Sequence, residues 1–315
     1  MKMVSGELFE QHVAGIQGAE VTSLAVLDHD DVEWDRVHRS TFLIHQRFRY
    51  EYPDPIEDLH HRLMILPPDH YIDQRRLMYR LDVSAETADI RLTHDTFGNP
   101  VLQIDVPRVE GSIDFEAWIV VERRSDGARE APGTTRVMRE FLRPSSRTEA
   151  DATLQSAAAE LLALGLTGLD LAGMINRWVY AHMQYAHDAT TIHTTAAEAL
   201  ALGHGVCQDY AHVMIALCRL CGLSARYISG HMLGEGGTHA WVEVLLPSSR
   251  GGQMRAYPFD PTHEREPGLS YVTIAAGRDY SDVAPTSGTF RASCSGRLST
   301  SKRVGLAAVD YRKAG

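Results

Sequence analysis

The sequence predicts an α+β protein, because two kinds of segment follow one another along its 315 residues. The first half has short branched or aromatic runs separated by turn residues, a pattern typical of a β-sandwich. From about residue 146 the sequence is rich in alanine and leucine at helical spacing, and strand-like runs return after residue 224. We therefore expect a β-sandwich followed by a domain of helices and strands.

These changes in pattern divide the chain into three parts. Residues 1–35 contain an acidic run and no periodic pattern, so they are predicted to be an extension whose order the sequence does not define. Residues 36–145 are predicted to form the β-rich domain, with turn signals such as Tyr52-Pro53-Asp54-Pro55 between its strands. Residues 146–315 are predicted to form the second domain, which carries the candidate catalytic residues.

The composition is that of a folded protein with a full core, at 44% hydrophobic and 23% charged residues. A formal net charge of -10 argues against a nucleic-acid surface or a basic membrane patch, so neither partner is expected. The N-terminus is interrupted by Lys2, Glu7 and Glu10 and lacks the apolar segment of a secretory signal. Four cysteines fit a reducing compartment. We expect a cytoplasmic protein, and the oligomeric state is left undefined.

Cys207 is the strongest candidate for chemistry. It lies in Gly205-Val206-Cys207-Gln208-Asp209-Tyr210, and the apolar stretch that follows predicts a buried helix from Cys207 to Leu220. An unperturbed thiol, with a pKa of about 8.5, is only a few per cent thiolate at neutral pH. The N–H groups and positive dipole end of a helix stabilise a thiolate, so this position is expected to activate the sulfur. Asp209 is expected to stabilise the helix start rather than to act as a base.

Two downstream residues supply partners for such a thiol. His239 begins a predicted strand behind a glycine-rich segment, and Asp260 ends another strand just before Pro261. A carboxylate bonded to one ring nitrogen of a histidine fixes its tautomer and leaves the other nitrogen facing the nucleophile. We therefore predict Cys207 as nucleophile, His239 as base and Asp260 as the residue that orients His239.

Each of these residues also has a structural interpretation, since buried cysteines are usually small core residues and most histidines are structural. The occurrence of all three together favours catalysis. Cys218 and Cys221 have the spacing of metal ligands, but no second pair of cysteines follows them, so core packing is favoured. The sequence has no His-Glu-x-x-His pattern. Neither a metal nor another cofactor is expected.

Four runs carry a resemblance to a known family. They are Gly205–His212, Ser224–Gly230, His239–Val244 and Phe259–Thr262. These runs resemble the bacterial transglutaminase-like superfamily and its cysteine proteases, and the β-rich half resembles the bacterial transglutaminase-like N-terminal region. The resemblance implies a papain-like core in which a nucleophile helix packs on an antiparallel sheet. It also implies that Cys207 is the nucleophile, His239 the general acid/base and Asp260 its orienter.

Two positions depart from the usual pattern of that family. His231 stands where an aromatic residue is common, and His263 stands where asparagine is common. Together with Trp241, these residues are candidates for lining the substrate cleft.

The implied reaction is acyl transfer at a peptide or carboxamide bond of a peptide or protein substrate, through a thioester on Cys207. The expected oxyanion donors are the backbone N–H of Cys207 and a group from Tyr185 or Gln184. Hydrolysis by a cysteine peptidase or amidase is the main expectation, because water at about 55 M must be excluded before a dilute amine can compete. A cross-linking protein-glutamine gamma-glutamyltransferase and a non-catalytic binding scaffold are the alternatives.

Overall fold

Residues 2–5, 27–125, 130, 139–248 and 254–312 are described by the computed structural model of this chain. They form sixteen strands and four helices. The strands are β1 (Lys2–Ser5), β2 (Val37–Glu51), β3 (Ile56–Leu63), β4 (His70–Tyr71), β5 (Gln74–Val83), β6 (Asp89–His94), β7 (Pro100–Val109), β8 (Ser112–Arg124), β9 (Gln184–Tyr185), β10 (His204–Gly205), β11 (Ser224–Met232), β12 (His239–Pro247), β13 (Met254–Phe259), β14 (Tyr271–Gly277), β15 (Thr286–Arg291) and β16 (Arg297–Tyr311). The helices are α1 (Ala152–Ala163), α2 (Gly168–His182), α3 (Ala196–Leu202) and α4 (Cys207–Leu220).

The chain divides into two compact units. The first, called the β-unit, comprises residues 1–127, 231–237 and 285–315. The second, called the α/β-unit, comprises residues 128–230 and 238–284. Both units are described below only within the residues given above.

Two sheets make up the β-unit. One has the strand order β1-β5-β8-β2-β16, with β4 paired to β5, and the other has the order β15-β3-β7-β6. Along β8 every second residue from Ile113 to Val121 is buried, so one face of the strand belongs to the core. The second sheet covers that face, because His61 of β3 stacks on Phe115 of β8 with ring centroids 4.6 Å apart. This arrangement confirms the β-sandwich of the predicted fold class.

The two C-terminal strands belong to the β-unit. β15 pairs with β3, and β16 runs antiparallel along β2 from Arg297 opposite Glu51 to Tyr311 opposite Val37. The sequence prediction instead assigned all of residues 146–315 to the second domain. The physical reason is that β16 is held by backbone pairing and buries only Gly305 and Leu306, so it carries little hydrophobic pattern.

The N-terminal residues 1–35 are described in part. Lys2–Ser5 form β1 and pair antiparallel with β5, and Leu27 makes an isolated bridge to Leu306. Residues 6–26 lie outside the described residues, as do residues 126–129 and 131–138, which precede the predicted domain boundary.

The helices of the α/β-unit begin and end where local chemistry favours it. The Asp151 side chain accepts the N–H of Leu154 and caps α1. Thr195 and Glu198 cap α3 reciprocally, and Gly203 ends that helix at a φ of 66°, a conformation that favours glycine. α4 contacts the other three helices and β12, and its residues 208–219 are all buried. The predicted helix from Cys207 to Leu220 is thus confirmed.

The sheet of the α/β-unit has the order β13-β12-β11-β14. β12 is antiparallel to both of its neighbours, β11 and β13. A helix packed on an antiparallel sheet was predicted, and the α+β class is confirmed. Within the described residues, no helix has the length and apolar character needed to span a membrane.

Candidate active site

The turn that carries Cys207 is fixed by a buried carboxylate. Val206 caps α4 in an extended conformation, and its N–H donates to Asp209 Oδ2 at 2.9 Å. The Thr190 hydroxyl donates to the same oxygen at 2.6 Å. A side chain at Gly205 would come within 2.7 Å of Asp209, so the turn requires glycine there. Asp209 therefore holds the helix start, as predicted, and burial raises the pKa of its carboxyl.

Cys207 is the first residue of α4 and is partly exposed. Cys218 lies further along the helix and is fully buried, which raises the pKa of its thiol. Burial, followed by the neighbouring sulfur of Cys207, also raises the pKa of Tyr227 on β11, so this phenol stays neutral near neutral pH. The accessible thiol at the helix start and the inert thiol inside the helix therefore differ in environment.

Two further polar residues of α4, Gln208 and His212, are buried and bond to neighbouring segments. Gln208 donates to the carbonyl oxygen of Thr191 at 3.4 Å, and His212 Nε2 accepts the N–H of Tyr280 at 3.1 Å. Burial lowers the pKa of His212 to about 3, so this imidazole is neutral near neutral pH. These contacts tie the first half of the nucleophile helix to the Thr191 and Tyr280 segments of the α/β-unit.

Arg219 is buried near the end of α4. Its guanidinium donates to the carbonyl oxygens of Phe141 at 2.9 Å, Ala225 at 3.1 Å and Arg278 at 2.8 Å, and to the Thr148 hydroxyl at 2.6 Å. Burial lowers the pKa of Arg219 to about 10, which still leaves it charged at neutral pH. One cation thus fixes the helix to three other segments.

Asp260 lies at the centre of a hydrogen-bonded cluster directly after β13. Its Oδ2 lies 2.8 Å from His239 Nε2 and 2.9 Å from His263 Nδ1, and it accepts the Tyr271 hydroxyl at 2.7 Å. Its Oδ1 accepts the N–H of Thr262 at 3.0 Å. The side chains of His239 and Asp260 are both 0% exposed. The sequence-predicted orienter and base therefore form a buried pair.

The electrostatics of this cluster favour an ionised Asp260. Burial alone would raise the pKa of Asp260, but the hydrogen bonds from His239, His263 and Tyr271 outweigh it and hold the pKa well below its usual range. Burial and the Asp260 charge raise the pKa of Tyr271, so its hydroxyl remains a donor. Arg265 Nε in turn donates to the Tyr271 oxygen at 2.8 Å. A permanent carboxylate therefore faces His239.

The strands around His239 are packed without spare space. His239 pairs with Gly230 across β11 and β12. A side chain at Gly230 would lie 2.1 Å from the Val272 carbonyl oxygen and 2.5 Å from the Trp241 ring. Trp241 also packs edge-on against Tyr271, with ring centroids 5.4 Å apart. This packing fixes the start of β12, where His239 is attached.

Gln184 and Tyr185 lie beside the segment that leads to Cys207. They form β9, which pairs in parallel with β10 so that Tyr185 faces Gly205. Tyr185 is 47% exposed. The two predicted oxyanion candidates are therefore next to the nucleophile turn in the sheet register.

The predicted cleft residues have different environments. Trp241 is 2% exposed and has a packing role. His231 is 1% exposed, and its Nδ1 lies 3.1 Å from the Gly237 carbonyl oxygen, so it holds the turn after β11. Burial lowers the pKa of His231 to about 4. Only His263 of the three keeps an exposed side chain, at 31%.

Sequence reasoning missed Tyr271, Arg265 and the link from His263 to Asp260. Tyr271 lies 11 residues beyond Asp260 and belongs to β14, so no local spacing relates the two. The one signal in the sequence is His263, which departs from the family pattern three residues after Asp260. That departure does not by itself indicate a hydrogen bond to Asp260.

Among the described residues, two groups of side chains have donor atoms close enough for a metal ion. One is the cluster of His239, Asp260 and His263, in which each imidazole already bonds to the Asp260 carboxylate. The other is the partly exposed set Asp28, His29 and Asp30. In the first group, a metal would displace the protons that hold His239 on Asp260.

A cavity of about 750 Å³ lies between α2 and β13. Its lining includes Leu169 and Met174 of α2 and Tyr257 and Phe259 of β13. Phe259 is the residue before Asp260, so the cavity adjoins the catalytic candidates without including them.

Two family models match parts of the chain. Residues 155–258 match the family model of the transglutaminase-like superfamily, and residues 42–122 match that of the bacterial transglutaminase-like N-terminal region. The first match contains Cys207 and His239, and Asp260 lies two residues beyond its end.

Individual proteins are also similar. Uncharacterised proteins of Mycobacterium bovis and of Mycobacterium tuberculosis H37Rv are each 28% identical over 276 residues, which cover 78% of this chain and 86% of the relative. A crystal structure of a protein from Cytophaga hutchinsonii, provisionally described as a cysteine protease, has a TM-score of 0.71 at 22% identity. That match covers 88% of this chain and 94% of the other. The two proteins share a fold.

Proposed function

We propose that this chain, whose residues 155–258 belong to the transglutaminase-like superfamily, is a cysteine-dependent acyl-transfer enzyme. Cys207 is the proposed nucleophile, His239 the general acid/base and Asp260 its orienter. The observation that carries the proposal is the buried 2.8 Å contact between His239 Nε2 and Asp260, on a strand against which the Cys207 helix packs.

The chemical roles follow from which atoms are engaged. Since His239 uses Nε2 for Asp260, proton transfer is assigned to Nδ1. Cys207 Sγ attacks the carbonyl carbon of a peptide or carboxamide, and the C–N bond then breaks as His239 gives its proton to the departing amine. Asp260 keeps its negative charge throughout and stabilises the imidazolium form of His239.

Charge on the attacked carbonyl oxygen needs donors that are in place before the reaction. The N–H of Cys207 at the start of α4 is the first proposed donor, supported by the positive end of the helix dipole. Gln184 or Tyr185 is the proposed source of the second, because β9 lies beside the nucleophile turn. Removing one such donor from an acyl-transfer enzyme costs about 100-fold to 1000-fold in rate.

The group that attacks the thioester determines which of two reactions takes place. Attack by water gives a peptidase or amidase, and attack by a lysine-type amine gives a cross-linking transglutaminase. Water is the proposed acceptor, because it is present at about 55 M and an amine competes only where water is excluded. The partly exposed Cys207 favours hydrolysis on the same ground.

A non-catalytic scaffold is the alternative from another class. The buried contact between His239 and Asp260 counts against it, because burying an ionised carboxylate costs free energy that apolar packing would avoid. A scaffold would gain nothing from an ionised Asp260 beneath a histidine.

The proposal is tested by mass spectrometry of a glutamine-rich peptide mixture incubated with the protein and a labelled primary amine. Peptide cleavage, deamidation and amine incorporation each give a product of different mass. We expect the native protein to cleave or deamidate the peptides. The Cys207→Ala variant should lose this activity, and the control variant Cys294→Ala should keep it. Products that persist in Cys207→Ala would contradict the assignment of the nucleophile, and amine incorporation would favour the transglutaminase.

A further inference from the structure

His263 occupies a position that the three-residue mechanism does not use. It bonds to the same oxygen of Asp260 as His239, at 2.9 Å against 2.8 Å. The two imidazole rings lie 5.3 Å apart between centroids and are tilted by 51°. One carboxylate oxygen is therefore shared by two imidazoles.

The two histidines differ in their access to solvent. The side chain of His239 is 0% exposed, whereas that of His263 is 31% exposed. His263 can therefore exchange protons with water directly. A change of charge at His263 reaches Asp260 through a single hydrogen bond.

We propose that His263 is a positioning residue that holds Asp260 from the solvent side, and that its protonation state sets how strongly Asp260 stabilises His239. The inference rests on the proposed function, since it concerns the same pair. When His263 is charged, it takes a share of the Asp260 negative charge, so the imidazolium form of His239 is less favoured. When His263 is neutral, it still orients the carboxylate.

The other described groups around Asp260 do not supply a change of charge in place of His263. Tyr271 stays neutral because its pKa is raised, so it donates to Asp260 without changing charge. Arg265 bonds through its guanidinium to the Tyr271 oxygen. Thr262 contributes a backbone N–H, which does not titrate. Among the described contacts of Asp260, the two that come from imidazoles are thus those of His239 and His263.

Two substitutions separate the two proposed roles of His263, which are to orient Asp260 through a hydrogen bond and to change charge with pH. His263→Asn keeps a donor near Asp260 but cannot change charge, and His263→Ala removes both properties. The matched control is His60→Asn in the β-unit, because His60 also bonds through Nδ1 to an aspartate, Asp105, at 2.6 Å. That pair is far more exposed, with 65% of the His60 side chain accessible.

The readout is the rate of Cys207 alkylation by iodoacetamide from pH 4 to 9, followed by peptide mass spectrometry. We expect two coupled steps in the native protein and in His60→Asn. In His263→Asn a single step should remain, with the rate at pH 8 within about three-fold of the native protein. His263→Ala should lower that rate by about ten-fold, since a hydrogen bond to a charged group is lost. Native-like two-step profiles in both variants at 263 would overturn the proposal.

A second measurement keeps the proposal independent of thiol reactivity. NMR titration of the His239 ring reports its protonation directly, whether or not Cys207 proves to be a nucleophile. Two coupled steps in the native protein and one in His263→Asn support the positioning function. Identical His239 titrations in the two proteins would reject it. Failure of the proposed function would appear separately, as unselective alkylation of Cys207 in the native protein.

Discussion

The β-unit and the α/β-unit differ in how they bury charged side chains. The β-unit core is mostly apolar, with residues that alternate along strands such as β8, and its buried cations include Arg76 and Arg123, each paired with an aspartate that is more exposed than the cation. The α/β-unit buries Arg219 and both members of the Arg226 and Glu243 pair, which lie 2.6 Å apart. Buried charges are costly unless each is fully bonded. The α/β-unit therefore encloses a complete ion pair, whereas the buried cations of the β-unit lie beside partly exposed partners.

Two histidine–aspartate pairs, one in each unit, also differ in how deeply they are buried. His60 and Asp105 lie 2.6 Å apart in the β-unit, and His239 and Asp260 lie 2.8 Å apart in the α/β-unit. The first pair is solvated and exchanges with water, so it contributes little to stability. The second is dry, and its carboxylate has three further donors. The contact distance alone therefore does not identify a catalytic pair.

The largest effect on stability is expected at Arg219. Arg219→Met leaves the carbonyl oxygens of Phe141, Ala225 and Arg278 without their buried donor, so the free energy of unfolding should fall by about 4 kcal/mol. Urea unfolding followed by hydrogen exchange of the α/β-unit measures it. The control is Arg62→Met on the exposed face of β3, which should leave the unfolding midpoint unchanged. Equal effects of the two substitutions would break the comparison between the units.

A smaller loss is expected at Gly230. The added methyl group of Gly230→Ala would collide with Val272 and Trp241, so strands must move apart beside His239. The free energy of unfolding should fall by about 3 kcal/mol. The control is Gly173→Ala inside α2, where an added Cβ meets no atom within 4 Å and should stabilise the protein by about 0.5 kcal/mol. Thermal unfolding that ranks the two variants the other way would contradict the packing argument.

The stability of the β-unit is expected to fall at acid pH because of the buried side chain of His61. Burial lowers the pKa of folded His61 to about 4, below the value of about 6.5 of an unfolded histidine. Between these values the unfolded state binds more protons, so the stabilisation is complete above about pH 6.5 and is lost as the pH falls towards 4. The loss should reach about 3 kcal/mol.

His61→Leu tests this origin of the acid sensitivity. The variant should lose less stability than the native protein between pH 7 and pH 4.5, as measured by urea unfolding. His212→Leu provides the same test in the α/β-unit, because burial also lowers the pKa of His212, to about 3. An unchanged pH dependence in His61→Leu would assign the acid sensitivity to other groups.

Local patterns predicted much of this molecule, because the relevant physics is local. The bounds of α4 follow from an apolar stretch that Gly222 ends, and the alternation along β8 follows from a period of two. The buried contact between His239 and Asp260 was also expected, since both residues were placed at strand ends.

Non-local features were not predictable in the same way. β16 pairs with β2 across more than two hundred residues of sequence through backbone hydrogen bonds that do not depend on side-chain type. The bond from Tyr271 to Asp260 depends on the order of strands in the sheet, which one sequence does not specify. The contact of His231 with the Gly237 carbonyl oxygen depends on the turn after β11, so it could not be inferred from the position of His231 in the strand.

The central claim is that Cys207, His239 and Asp260 act as one unit, and the reactivity of Cys207 tests it most directly. The measurement compares alkylation of Cys207 and the partly exposed Cys294 by iodoacetamide at pH 7, in the native protein and in His239→Ala. We predict that Cys207 reacts about 100-fold faster than Cys294 and that His239→Ala removes this advantage. Equal rates at the two cysteines, unchanged by His239→Ala, would contradict the account.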